Sequence, residues 1–463
     1  MSEMQKTIRK SISFSGAGIH TGVVTKMTLK PAEENTGIRF IRVDLDNHPE
    51  IKADVTNVFA TERSTSLRKS DAKIHTVEHI LAAITGAKID NIIIEVDNVE
   101  IPILDGSAKR FSEKIEEAGL ITQNAKREYF EIKRPIIFRD EETGSKLAAT
   151  PSDYYEIDVE INYNSQILGI QHATLNTISD FKTEIASSRT FCFLHELEEL
   201  IDNNLVKGGD INNAIVIVEN KISNKKLIEL KKVFNNPKIK VSKNGYLNNL
   251  TLRYKNEAAR HKLLDIVGDL SLVGRPIKGK ITALKPGHKN NTKFAKKLKE
   301  IMMQQVSETV PEINFKEAPL YNKERIKKIL PHRDPFLFID EIREIGEDFI
   351  IGVKFVRADE EYFKGHFPGE PVMPGVLQLE TMAQTGGVLI LSTVPNPEDY
   401  LTFFMKIEDA RFKQKVVPGD TIIFRLNLIS PIRRGLCHMR GVGFVNGKIV
   451  VEASLLAKIA PKK

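Results

Sequence analysis

EAARHKLLDIVGDLSL, the segment Glu257–Leu272, decides how the first part of this chain folds. Its apolar residues return every three or four positions, among them Leu263, Leu264, Val267 and Leu270. This spacing predicts an amphipathic helix of about four turns with one wide apolar face.

A second face of the predicted helix carries His261, Asp265 and Asp269, each four residues from the next. Residues at positions i and i+4 lie one above the other, so an imidazole and a carboxylate can share a ligand there. Both groups are suitable zinc ligands. The same pattern also fits a surface pair on an ordinary helix, so a metal site needs a further ligand elsewhere.

The segment Lys73–Thr85, KIHTVEHILAAIT, predicts a second helix that carries such a ligand. Glu78 and His79 are adjacent and therefore point about 100° apart on a helix. One of them can bind a metal while the other acts on a water beside it, as in zinc hydrolases. Downstream, His288 lies in a Gly-containing loop, KPGH, where it could donate a proton or stabilise charge.

The composition indicates a soluble protein of several domains. The chain has 463 residues, which is too long for one ordinary core, with 41% hydrophobic and 28% charged residues. No apolar run is long enough to span a bilayer and no signal-peptide core is present, so a cytoplasmic protein without a transmembrane segment is expected. Cys192 and Cys437 lie far apart, and a disulfide is not expected.

The net charge of +7 comes partly from basic runs, for example Lys293, Lys296, Lys297 and Lys299. Such a run fits a solvated helix face, and it also fits a surface for a polyanionic substrate or an anionic membrane. The chain has no Trp, and no aromatic residues alternate with the basic ones. Nucleic acid is therefore not an expected partner.

Up to residue 304, the order of strands and helices occurs twice, which predicts two α+β halves, about 1–125 and 126–304. The other predicted helices are His75–Ile84, Ala108–Ala118 and Phe191–Asn203. The predicted strands include Asp90–Val96, Phe130–Phe138, Tyr155–Tyr163, Ala214–Glu219 and Gly279–Leu284. Gly119 is expected to end the helix before it. Each half should be a small sheet covered by helices, with the metal site drawing on both.

Residues 305–322 are polar, contain Pro311 and Pro319, and are expected to form a linker to a further domain, 323–463. In that domain an apolar helix is predicted for Val376–Leu391. The segments with strand-like alternation are Phe336–Val356, Leu401–Val417, Ile422–Ile429, Leu436–Val445 and Ile449–Ile459. We expect one long helix wrapped by an antiparallel sheet, whose open edge favours a dimer.

His366 and Glu380 are the candidate chemical groups of this domain. His366 lies in a Gly/Pro-rich loop, and Glu380 lies among apolar residues of the following helix, where an unpaired carboxylate would have a raised pKa. The helix N-terminus at Gly375 could polarise a carbonyl. Together these groups suggest elimination or hydration next to a thioester or ketone. Alternatively, Glu380 points to solvent and His366 is an isolated loop histidine.

Six motifs up to about Val306 resemble those of the zinc-dependent UDP-3-O-acyl-N-acetylglucosamine deacetylases of lipid A synthesis. They are GAGIHTG (Gly16–Gly22), TVEHILAA (Thr76–Ala83), IPILDGSA (Ile101–Ala108), SRTF (Ser188–Phe191), RHKLLDIVGDL (Arg260–Leu270) and KPGHKNN (Lys285–Asn291). The resemblance implies one zinc ion per chain, held by His79, His261 and Asp265. It implies that Glu78 is the general base for the attacking water, and that Thr190 helps to stabilise the oxyanion.

The same resemblance implies a proton donor and substrate contacts. His288, oriented by Asp269, would be charged and would assist or protonate the leaving amine. Lys262 would lie beside the metal ligands, within reach of the substrate's negative groups, and Phe191 would line the substrate groove. The substrate would be a UDP-linked acylated N-acetylglucosamine, and the products acetate and a free glucosamine nitrogen.

From about Ile326 the chain resembles 3-hydroxyacyl-acyl-carrier-protein dehydratases of hot-dog fold. The motifs are LPHRDPFLFID (Leu330–Asp340) and GHFPGEPVMPGVLQLETMAQ (Gly365–Gln384). The resemblance implies that His366 takes the C2 proton, that Glu380 protonates the departing 3-hydroxyl, and that the Gly375 N–H holds the thioester carbonyl.

Hot-dog dehydratases build this site across a dimer interface, so the resemblance implies an obligatory homodimer, with trimers of dimers usual. It also implies acyl carrier protein, which is acidic, as a partner. The candidate docking residues are Lys413, Lys415, Arg433 and Arg434.

The sequence therefore predicts a fusion enzyme with a deacetylase and a dehydratase activity. Two alternatives stay open. In the first, the C-terminal domain is only an oligomerisation scaffold for the deacetylase. In the second, the N-terminal part binds a nucleotide without turnover.

Overall fold

The structure is a computed structural model that describes residues 3–197, 213–233, 236–247 and 251–462. The chain forms two compact units, residues 1–299 and 300–463. Both units combine sheets with helices, so the predicted α+β class is confirmed. Within the described ranges, no helix is long and apolar enough to cross a bilayer.

The first half of the first unit is a mixed sheet with two helices. Its strands are β1 (Met4–Ile8), β2 (Ile12–Ala17), β3 (Val24–Pro31), β4 (Ile38–Arg42), β5 (Glu50–Lys52), β6 (Val58–Ala60), β7 (Ser66–Lys69), β8 (Ala72–Ile74), β9 (Ile92–Val96) and β10 (Leu120–Lys126), and its helices are α1 (Glu78–Gly86) and α2 (Lys109–Ala118). The main sheet has the order β2-β3-β9-β4-β5. β9, whose sequence IIIEV suits a buried strand, lies at its centre. Gly119 ends α2 as predicted, with a φ of 69°.

The second half repeats this layout with a larger sheet. Its strands are β11 (Phe130–Glu131), β12 (Ile136–Asp140), β13 (Ser145–Thr150), β14 (Tyr155–Asn162), β15 (Ile170–Leu175), β16 (Phe191–Phe193), β17 (Ile215–Ile217) and β18 (Ile277–Leu284). Its helices are α3 (Phe181–Glu184), α4 (Asn224–Val233), α5 (Glu257–Ser271) and α6 (His288–Ser307), and the last eight residues of α6, from 300 on, belong to the second unit. The main sheet has the order β12-β13-β18-β14-β15, and β11 pairs with β18. The described helix α5 agrees with the predicted segment Glu257–Leu272 to within one residue.

Three predicted elements of the first unit differ from the structure, and in the second unit residues 336–340 and 413–417 of two predicted strand segments are not in strands. Helix α1 begins at Glu78 rather than His75, because Thr76 has a non-helical φ of 61° and its hydroxyl donates to Glu100 at 3.0 Å. The predicted strand Phe130–Phe138 is divided into β11 and β12, since Pro135 lacks the N–H that a continuous ladder requires.

The third difference concerns the predicted helix Phe191–Asn203. Its first three residues form strand β16, which pairs in parallel with β17, and helical structure begins only at Leu194. Residues 198–203 of this prediction lie outside the described residues. Phe191 and Phe193 are aromatic residues, which favour a strand when a partner strand such as β17 lies beside them. The local periodicity of the sequence does not indicate that partner.

Helices α1 and α5 pack directly against each other in the interior of the first unit. Their backbones come close at Gly268, where an added Cβ would lie 2.1 Å from the carbonyl oxygen of Glu78. No side chain fits between the two helices at this point. The contact therefore fixes the distance between the two segments that carry the predicted metal ligands.

The second unit is an antiparallel sheet around one long helix. Its elements are α7 (Lys323–Ile329), α8 (Gly375–Leu391), β19 (Glu341–Ile345), β20 (Phe349–Phe355), β21 (Tyr400–Phe412), β22 (Thr421–Leu428), β23 (Leu436–Val445) and β24 (Lys448–Pro461). The strand order is β19-β20-β22-β23-β24-β21. Most of α8 is buried against the sheet. Residues 308–320, which precede α7, contain no helix or strand.

The edge strand β21 of this sheet exposes apolar side chains. Phe403, Phe404, Met405 and Ile407 are all more than 40% exposed. A contiguous apolar strip on a sheet edge is uncommon on a monomer and typical of an interface.

Gly268→Ala should destabilise α1 and α5, because the added methyl group would displace the Glu78 carbonyl. The expected loss is about 3 kcal/mol, at the upper end of the usual cost of overpacking. Native-state hydrogen exchange of the amides of α1 and α5 measures it. As a control, Gly287→Ala adds a Cβ with no atom within 4 Å and should change protection by less than about 0.5 kcal/mol. Equal protection in both variants would contradict the close contact.

Candidate functional sites

Helices α1 and α5 bring His79, His261 and Asp265 together in the interior of the first unit. We call these three residues the metal group. One ligand atom from each of the three lies within 4.8 Å of the others. Oδ1 of Asp265 is 3.3 Å from Nε2 of His261 and 3.8 Å from Nε2 of His79. All three side chains are buried.

The donor atoms of this group fit a metal ion. Oδ1 of Asp265 and Nδ1 of His79 are buried and have no hydrogen-bond partner among the described residues. A buried polar atom without a partner is costly and needs an explanation, and a cation beside Asp265 supplies one. Two imidazoles and one carboxylate are a ligand set that suits zinc and leaves a further position open.

The ionisation of the three residues also suits a metal. Burial lowers the pKa of His79 to about 3 and lowers the pKa of His261, so both rings are neutral. Burial alone would raise the pKa of Asp265, but Lys262, whose Nζ is 2.8 Å from Oδ2, holds it below its usual range. Nδ1 of His261 donates to the Ser188 carbonyl at 3.0 Å, which leaves Nε2 directed at Asp265.

Glu78 is buried beside the metal group. Burial raises the pKa of its carboxyl, His288 opposes the increase, and Asp269 and Asp265 add to it, with a result of about 7. One carboxylate oxygen accepts a hydrogen bond from the backbone N–H of Thr65 at 3.0 Å. A carboxyl group with this pKa can accept a proton and release it again near neutral pH.

His288 lies opposite, at the first residue of α6. Burial would lower the pKa of this imidazole, but Asp269 and Asp265 outweigh burial and raise it to about 9. Nδ1 of His288 is 3.0 Å from Oδ2 of Asp269, and Nε2 is 3.8 Å from Oδ2 of Asp265. The ring is therefore charged at neutral pH and can donate a proton.

The predicted substrate-contact residues border the metal group. The ring of Phe191 is 6.4 Å from that of His261, and Nζ of Lys262 lies 5.5 Å from the Phe191 ring centroid. Thr190 is half-buried, and its N–H donates to the Gly106 carbonyl at 2.8 Å. Tyr163, which packs against Phe191 at 5.6 Å, extends this aromatic border.

Three of the four lysines in the basic run on α6 are bound to the protein itself. Nζ of Lys293 is 3.1 Å from Asp140, Lys297 donates to the Ile137 carbonyl at 2.8 Å, and Lys299 pairs with Asp54. These contacts favour the interpretation as an ordinary helix face over an anionic partner.

In the second unit, Glu380 lines an apolar pocket between α8 and the sheet. Other lining residues are Leu330, His332, Ile390, Met439 and Leu455. Oε1 of Glu380 accepts a hydrogen bond from Gln384 at 3.0 Å and lies 3.5 Å from Nε2 of His332. The alternative in which Glu380 points into open solvent does not describe this placement.

The structure does not bring His366 to Glu380 within one chain. His366 is absent from the described lining of the Glu380 pocket, and its Nδ1 bonds to the Val372 carbonyl at 2.8 Å. Gly375 is the first residue of α8. A Cβ added at Gly375 would lie 2.7 Å from the ring of Phe412, so only glycine fits there without rearrangement.

Comparisons with known proteins match both units. A family model described as UDP-3-O-acyl N-acetylglycosamine deacetylase matches residues 5–239 and 232–300, and one described as a FabA-like domain matches residues 330–454. A "bifunctional enzyme LpxC/FabZ" of Bacteroides thetaiotaomicron is 46% identical over 99% of both chains. Relatives of the same description from Porphyromonas gingivalis and Chlorobaculum tepidum are 44% and 40% identical, over 100% and 99% of both chains. The chain belongs to the bifunctional LpxC/FabZ family.

Membership of the LpxC/FabZ family confirms both predicted resemblances and the fusion of a deacetylase with a dehydratase. The metal group, Glu78 and His288 all lie inside the deacetylase match. His366, Glu380 and the Glu380 pocket residue His332 lie inside the FabA-like match. The nucleotide-binding alternative without turnover does not agree with relatives that are enzymes over the whole chain.

Several residues that hold the proposed chemical groups were not predicted from the sequence. Thr65 Oγ1 donates to Asp269 at 2.5 Å, and Asn291 Nδ2 donates to the same carboxylate at 2.9 Å. Asn291 follows His288 by three residues on α6, so its position on the same helix face was a usable signal. Thr65 lies in a loop, where no periodicity indicates its direction. His332 and Gln384 lie inside the quoted dehydratase motifs but were given no role.

Thr65→Val should lower kcat for deacetylation roughly 10- to 100-fold, because a hydrogen bond to a charged group contributes about 1.5–3 kcal/mol. The variant leaves Oδ1 of Asp269 without this donor and loosens the Asp269–His288 pair. Steady-state deacetylation kinetics measure the loss. A matched control is Thr25→Val, because the buried Thr25 hydroxyl has no hydrogen-bond partner among the described residues. An unchanged kcat in Thr65→Val would exclude this role of Thr65.

Proposed function

We propose that the chain catalyses two reactions. The first unit would remove the N-acetyl group of UDP-3-O-(3-hydroxyacyl)-N-acetylglucosamine with zinc. The second would dehydrate (3R)-3-hydroxyacyl-acyl carrier protein to the trans-2-enoyl form. The observation that carries this proposal is the buried His79, His261 and Asp265 group between Glu78 and His288, in a chain whose relatives span its whole length. The proposed domains are 1–304 and 323–463, with the linker 305–322.

In the deacetylase, His79, His261 and Asp265 would hold one zinc ion per chain. When bound, zinc supplies a Lewis acid for the acetamide carbonyl and the attacking water. Glu78 takes a proton from the water as its oxygen attacks the carbonyl carbon, and the pKa of about 7 supports this role. The Thr190 hydroxyl donates to the oxyanion that forms.

Collapse of this oxyanion breaks the C–N bond and needs a proton on the departing nitrogen. His288 supplies it, because Asp269 and Asp265 keep the ring charged. Lys262, which is cationic beside Asp265, lies within reach of the substrate's negative groups, and Phe191 borders the groove. The products are acetate and a free amine.

In the dehydratase, His366 removes the C2 proton and Glu380 protonates the 3-hydroxyl, which leaves as water. The N–H of Gly375 at the start of α8 holds the thioester carbonyl and stabilises the developing negative charge. The two remaining electrons of the C2–H bond form the C2–C3 double bond, so the reaction needs no redox partner.

A partner subunit would supply the missing half of this site. His366 does not line the Glu380 pocket of its own chain, and β21 exposes an apolar strip that suits subunit contact. We propose a dimer, and trimers of such dimers, with His366 of one subunit facing Glu380 of the other. Acyl carrier protein is the proposed partner at the pocket entrance. Of the four candidate docking residues, Lys413 is bound to Glu452 at 3.0 Å and Lys415 pairs with Glu370 at 4.0 Å, which leaves Arg433 and Arg434 as the better candidates.

His79→Ala should abolish stoichiometric zinc and deacetylation, because only two of the three ligands remain. Elemental analysis of purified full-length protein measures zinc, with one ion per wild-type chain expected. His172→Ala removes an exposed histidine that pairs with Glu160 and should retain zinc. A folded wild-type chain that never binds zinc would contradict the proposed mechanism. The dehydration rate should not change in either variant.

Glu380→Gln should abolish dehydration and leave deacetylation unchanged, because glutamine cannot protonate the 3-hydroxyl. The scaffold alternative predicts no change in either reaction. Glu344→Gln, at an exposed position of β19, is the control.

Mixing His366→Ala chains with Glu380→Gln chains tests the shared site. Random exchange of subunits should restore about a quarter of the wild-type rate, since half of the dimers are mixed and each has one intact site of two. If both groups act within one chain, mixing restores no dehydration.

A further inference from the structure

A buried ion pair lies one helical turn before the metal-binding residues of α5. Nε and Nη2 of Arg189 donate to the two oxygens of Glu257 at 2.8 and 3.0 Å. The backbone N–H of Arg189 donates to the same carboxylate at 3.1 Å, and that of Arg253 does so at 2.6 Å. Both side chains of the pair are buried.

Glu257 extends the line of functional side chains on α5. Glu257, His261, Asp265 and Asp269 follow one another at intervals of four residues, so they lie along one side of the helix. All four are buried. The proposed reaction uses the last three and assigns nothing to Glu257.

The residues before and after Arg189, which are Ser188 and Thr190, both lie at the deacetylase centre. The Ser188 carbonyl accepts the hydrogen bond that orients the His261 ring. Thr190 follows Arg189, and its backbone is fixed by hydrogen bonds to Gly106 and Ile215, each 2.8 Å long. The contacts of Arg189 with Glu257 and of Ser188 with His261 are one turn of α5 apart. Together they set the register of this segment against the helix.

We propose that Arg189 and Glu257 are positioning residues for deacetylation. The pair holds residues 188–190 in register with α5, so that the Ser188 carbonyl fixes His261 and Thr190 is placed beside the metal group. This inference rests on the proposed function of His261 and Thr190.

Stability alone gives a weaker account of the pair. Two buried charges lose their hydration, and apolar residues of the same size often stabilise a core equally well. A bidentate contact between a guanidinium and a carboxylate, by contrast, fixes the relative orientation of the two segments that carry them. Orientation is what a metal ligand and an oxyanion donor require.

Two variants that conserve charge test the proposal in the full-length, zinc-loaded chain. Arg189→Lys cannot make two parallel N–H contacts, and Glu257→Asp has a shorter reach. Each should lower kcat for deacetylation by roughly 10-fold or more, and each should weaken zinc binding by roughly 10-fold, as is typical of residues that orient metal ligands. Competition with a chelator measures the zinc affinity, and KM should change much less than kcat. The dehydration rate of the same chain should stay constant.

Arg127→Lys is the matched control, because Arg127 forms a comparably buried pair with Asp90, at 3.0 Å, outside the deacetylase centre. It should lower the melting temperature without changing kcat or zinc affinity. If Arg189→Lys and Glu257→Asp also lower only the melting temperature, the inference is overturned. The two variants change the pair from opposite sides, so either can decide if the other does not fold. A wild-type chain that binds zinc without deacetylating would contradict the proposed function instead.

Discussion

The close contact of α1 and α5 at Gly268 is the constraint on which the deacetylase centre depends. At this point the backbone of α5 touches the carbonyl of Glu78, the residue before His79. Asp265 lies three residues before Gly268 on α5, so the contact brings this proposed metal ligand close to His79. Two helices that are far apart in sequence can share one small ion only if their axes come this close.

The residues of this centre are buried, and burial together with the neighbouring charges determines their ionisation. Two carboxylates, Asp265 and Asp269, are buried there, and each would be costly without a cation. Lys262 compensates the first and His288 the second. Burial outweighs the effect of Asp265 on the two imidazoles, His79 and His261, and both remain neutral. A charged donor, a base with a pKa near neutrality and neutral ligands therefore coexist within one small volume because each has a different set of neighbours.

In the second unit, one side chain positions Glu380, the proposed acid. Gln384, one turn after Glu380 on α8, donates to that carboxylate and to the Phe336 carbonyl, and its oxygen accepts from Phe338 N–H at 2.8 Å. One amide side chain thus fixes the segment 336–338 and Glu380 relative to each other. These hydrogen bonds satisfy the polar groups around Glu380 inside a largely apolar pocket, which suits the proposed dehydration of an acyl chain.

The sequence by itself determined the α+β class, the helices α5 and α8, and the types of residue at both centres, because amphipathic periodicity and long motifs are local properties. It did not determine the start of α1, the division of β11 from β12 or strand β16, where contacts with distant residues outweigh local preference. Only the tertiary structure decided that Thr65 and Asn291 hold Asp269, that His332 faces Glu380, and that Arg189 pairs with Glu257. Hydrogen bonds between residues far apart in the chain depend on how the elements pack. The periodicity of a single sequence does not indicate such bonds.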